Sequence, residues 1–171
     1  MEGRSRRAQE FLAELAPLTL GETLEQARAV VPGLRVYHAG ERWMVELRPD
    51  SARPLLAGVI VTPNPAAGDS APPDAVVESV EFLLTPAQAA KLRERTTALL
   101  GAPTSLACAG RSISETDSVI EWGRTARGGV LFTVPYRRLN GEPPIARLFV
   151  YSSRWDPSRM LSGYGVRTCD D

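Results

Sequence analysis

Residues 75–101 read AVVESVEFLLTPAQAAKLRERTTALLG, a strand pattern that runs directly into a helix pattern. In the first part Val76, Val80, Phe82 and Leu84 fall on one side and Glu81 on the other, as in a strand with two unlike faces. Alternate strand residues face opposite ways, so Glu78 and Glu81, three apart, are expected on opposite faces and unfit to act as a paired acid and base. The second part opens with Thr85 as N-cap, Pro86 at the first helical position and Gln88 closing a capping box. Ala89, Leu92, Leu99 and Leu100 form its apolar stripe, and Gly101 followed by Pro103 ends it.

Toward the N-terminus, residues 55–62 predict another strand, apolar on both sides from Leu55 to Val61. An antiparallel sheet usually leaves one face to water, so this strand requires a cover, either helices of the same chain or a partner surface. Residues 34–38 and 42–48 read as two further strands around a turn at Gly40. Ahead of them, residues 5–16 place Ala8, Phe11, Leu12 and Leu15 at helical spacing. Thr23 with Gln26 starts a second helix, striped by Leu24, Ala27, Val30 and Val31 and broken by Pro32 and Gly33. Beyond Gly101, residues 102–117 are small and polar, and strands follow at 118–122, 129–135 and 145–152.

The sum is an α+β fold: a mostly antiparallel sheet of about seven strands with three helices, readable as two helix-plus-three-strand repeats. The chain of 171 residues forms one domain, with residues 1–20 as helix and lead-in, 63–74 as a mobile Pro-rich loop and 153–171 as an irregular tail.

Charge narrows the function. Lys+Arg and Asp+Glu both number 20, so no net field draws the chain to nucleic acid or anionic lipid. Lys91 is the single lysine, but the arginines are scattered rather than clustered. No apolar run reaches the roughly 20 residues of a membrane-spanning helix. Arg4, Arg6 and Arg7 open the chain as a signal peptide would, yet Glu10 and Glu14 occupy the place of its apolar stretch. The protein is then cytoplasmic, or it is periplasmic or secreted with a leader already removed. Cys108 and Cys169 allow one disulfide in an oxidising compartment, and their spacing fits neither a zinc site nor a redox pair.

No residues assemble a catalytic motif. His38 is the sole histidine, in a strand-like run without a nucleophile elbow to serve. Residues 110–114 approach G-x-S-x-G but lack the final glycine, Glu115 and Asp117 lack the third carboxylate of a calcium loop, and the Gly163-Tyr164-Gly165 turn lacks the strand and helix of a phosphate cradle. No cofactor and no metal is expected. The best binding candidates are Tyr136, Arg137, Arg138, Tyr151, Arg154 and Trp155, which gather aromatic and guanidinium groups at the ends of the last two strands, a mixture enriched at protein interfaces.

Leu20-Gly21-x-Thr23-Leu24-Glu25, a helix, Pro32-Gly33 and then Arg42-Trp43, matched later by Leu100-Gly101-x-Pro103 and Glu121-Trp122, resembles the repeat of the β-lactamase-inhibitor-protein-like domains and small outer-membrane-assembly lipoproteins. The resemblance implies an exported, non-enzymatic protein that binds another protein through a sheet. The chain lacks that family's early lipobox cysteine and carries the insertion at 63–74. The expected function is a protein-interaction module, an accessory or assembly subunit; the alternative is a small-molecule-binding domain or minor enzyme with its pocket between helices and sheet.

Overall fold

A computed structural model describes residues 3–37, 52–66, 68–103, 105–109, 119–125, 128–133, 144–152 and 166–168, and structural statements refer to these. They form an α+β fold of helices α1 (Gly3–Leu15), α2 (Leu24–Val30) and α3 (Pro86–Leu100), with strands β1 (Leu55–Thr62), β2 (Val76–Leu84), β3 (Ser105–Ala109), β4 (Val119–Thr125), β5 (Gly128–Thr133), β6 (Ala146–Ser152) and β7 (Val166–Thr168).

All three helices lie where the sequence places them, because their stop and start signals are local. Thr23 and Thr85 each accept a hydrogen bond from the backbone N–H three residues on, while Gln26 and Gln88 bond back to the cap. Gly101 ends α3 at φ 86°, a conformation that favours glycine. The side chain of Gln9 on α1 clamps the following turn, donating to the Leu18 carbonyl at 3.0 Å and accepting from the Leu20 N–H at 2.9 Å.

The expectation of about seven strands in two repeats needs correction. The antiparallel sheet that builds the packed core is of four strands, β1-β2-β6-β5; backbone pairing runs on from β5 through β4, β3 and β7, strands whose side chains are not described. The described residues do not show the three strands of the first copy. Residues 34–37 make only one parallel bridge, Val36 to Val59, and residues 42–48 lie outside the described residues. In that segment Leu34 and Tyr37 are the buried residues, three apart, so the short run does not follow the alternation of a strand. In the other direction, β3 emerges from the stretch read as small and polar, and β7 from the tail read as irregular. Backbone pairing with β4 and with each other holds these short segments where their side-chain pattern is weak.

The sheet has two unlike faces. On one, Val80, Phe82 and Leu84 of β2 meet Ala146, Leu148 and Val150 of β6, Val130 and Phe132 of β5, and Phe11, Leu12 and Leu24 from the helices, in one apolar cluster. Helix α1 packs on β5 and β6, α3 on β2, β4, β5 and β6, and α2 on β2. The surface end of the contact between α1 and α3 carries an ion pair, with Arg95 donating to both carboxylate oxygens of Glu14 at 3.1 and 2.5 Å. That hydrogen bond holds Glu14 below the usual carboxylate range. Both side chains are about half exposed, so the pair fixes geometry more than it stabilises.

Where β6 ends, the lead into α2 takes its place beside β2. Gly21 donates to the Val77 carbonyl, Val77 donates to Glu22, and Leu24 donates to Ala75, at 2.7–2.9 Å. The outer edge of β1 receives residues 35–37, with Tyr37 donating to the Val59 carbonyl at 2.9 Å and Val59 donating to Arg35 at 2.8 Å. Asn64 secures this segment by donating to the Tyr37 carbonyl.

Truncating the helix-side core should cost most. Phe82→Ala removes a ring that is 1% exposed, with an expected loss of about 3–5 kcal/mol in urea unfolding. Thr85→Ala should cost about 1 kcal/mol in the same assay, since only the cap of α3 is lost.

Candidate functional site

Position 78 breaks the alternation of β2. Val59 pairs with Val80, Ile60 with Ser79 and Val61 with Val77, so Glu78 is an extra residue opposite β1, a β-bulge. Val77 and Val80, three apart, consequently both join the helix-side core. The same bulge overturns the expectation that Glu78 and Glu81 must face opposite ways, because strict period two does not hold across it. Glu78 is buried and accepts a hydrogen bond from the hydroxyl of Ser152, the last residue of β6.

Beyond the bulge, Ser79, Glu81 and Leu83 of β2 alternate with the core residues and so face away from the helices; Arg147, Phe149 and Tyr151 of β6 lie on the same face. Cross-strand pairing sets Ser79 opposite Tyr151 and Glu81 opposite Phe149, while Arg147 stands diagonal to Glu81. These six residues are all buried, but none belongs to the helix-side cluster. On β1 the residue opposite Glu81 is Gly58, and the space a side chain would fill there is taken by the ring of Tyr37, which lies 2.6 Å from the site of a Cβ. Arg35 stacks its guanidinium over that ring at 5.4 Å.

Electrostatics single out Glu81. Its carboxylate, 2% exposed, has the Arg147 Nε at 3.5 Å and accepts no hydrogen bond among the described residues. Burial pushes its pKa up from the ordinary 4.5 to about 8, against the pull of the Arg147 charge. A carboxyl of this kind is protonated at neutral pH and can donate a hydrogen bond rather than only accept one. The Ser79 hydroxyl, 1% exposed, likewise makes no hydrogen bond among the described residues. The Ser79 hydroxyl, the Glu81 carboxyl and the Arg147 guanidinium thus share one face of the sheet with Leu83, Phe149 and Tyr151.

Of the six binding residues expected from sequence, only Tyr151 is placed, and it sits buried within the sheet between Ser79 and Gly129. Tyr136, Arg137, Arg138, Arg154 and Trp155 lie outside the described residues, as do His38, residues 110–117 and residues 163–165. Cys108 is in β3 opposite Arg167, Cys169 lies outside the described residues, and among the described residues no disulfide is found. Among the described residues no three His, Cys, Asp or Glu side chains gather as metal ligands, and no helix is long and apolar enough to cross a membrane. Sequence reading missed Ser79, Glu81 and Arg147 as a set; the available signal was two acidic residues in an otherwise apolar strand, a costly choice for a core.

Comparison with known proteins adds no identity: no family model, no curated protein and no solved structure matches the chain.

The Glu81 shift has a measurable sign. Its pKa is higher folded than unfolded, so its contribution to stability is complete below about pH 4.5 and declines as pH rises toward 8, by at most about 1.4 kcal/mol per unit. Glu81→Gln should abolish this decline. Urea unfolding at pH 5, 6.5 and 8 checks it: the wild-type midpoint should fall relative to the variant's, and parallel profiles would show that Glu81 titrates normally.

Proposed function

We propose that this protein is a non-catalytic binding module that holds another protein through the side of its sheet turned away from the helices. The supporting observation is the division of labour between the two faces. Among the described residues the helix side is filled by an apolar cluster. The opposite side carries Arg147, Tyr151 and Tyr37, residue types enriched at protein interfaces, together with Glu81; all four are themselves buried, so in this reading they shape the sheet beneath the partner rather than touch it.

The test pairs two variants. Glu81→Leu with Arg147→Met exchanges the buried carboxyl and guanidinium for apolar groups of similar size, a replacement that folds tolerate. Arg28→Glu alters the exposed surface of α2. A partner captured by the wild type and by Arg28→Glu, but lost with the double variant at equal or higher thermal stability, is the expected outcome. Equal capture by all three overturns the assignment of the face.

One observation favours a second reading, in which the same face holds a small polar molecule. Buried polar groups are nearly always hydrogen-bonded, and the Ser79 hydroxyl and both Glu81 oxygens make no such bond among the described residues. Thermal-shift measurements with polyols and small amides should then raise the melting temperature of the wild type but not of Ser79→Ala. Shifts that are equal in both, or absent in both, rule it out.

A further inference from the structure

We draw no further inference here: the strongest candidate, the buried Ser79, Glu81 and Arg147 cluster on the sheet face away from the helices, belongs to the site already described, and nothing among the described residues shows what chemistry covers it.

Discussion

Everything in this fold depends on β2 being buried on both faces at once. A strand in that position must satisfy two different neighbourhoods with one sequence, and period two alone allows only one register. The extra residue at position 78 resolves the conflict. It lets Val77 and Val80 both point into the helix-side cluster, and it ends the regular ladder where β6 stops and the lead into α2 begins. The first turn of α2 is thereby docked on the same strand that delivers the chain into α3, so two of the three helices take their positions from one strand.

Against that apolar demand, the presence of Glu78, Glu81 and Arg147 is energetically expensive. A buried ion pair seldom repays the cost of removing both charges from water, and apolar residues of the same size often do as well or better. Here the geometry is loose, 3.5 Å with no hydrogen bond to Glu81 among the described residues, so attraction recovers little of the penalty and the carboxyl yields by holding its proton. A sequence that keeps such groups in the middle of a sheet accepts a local loss of stability, and recognition is a use that would account for it.

Legibility followed the range of the determining interactions. The helices were readable almost to the residue because a Thr with a Gln three positions on, or a Gly after a stripe, acts within one turn. The strands 55–62, 76–84 and 146–152 were readable because long apolar runs leave few alternatives. The edges were not. Residues 34–37 carry strand-like composition but join the sheet at one bridge, and β3 and β7 exist through pairing that their composition does not announce. The site was hidden for a related reason: a bulge is decided by the partner strands, so the face occupied by Glu78 could not be counted from its own sequence.

The parallel bridge between Val36 and Val59 has a consequence for solubility. β1 terminates the order of strands, and an end strand offers its unpaired N–H and C=O groups as a template for another chain. Residues 35–37 occupy that rim at mid-strand, Asn64 ties them down, and the Tyr37 ring lies across Gly58 where the strand has no side chain of its own. Among the described residues, this end of the sheet is thus covered at mid-strand by a segment of the same chain.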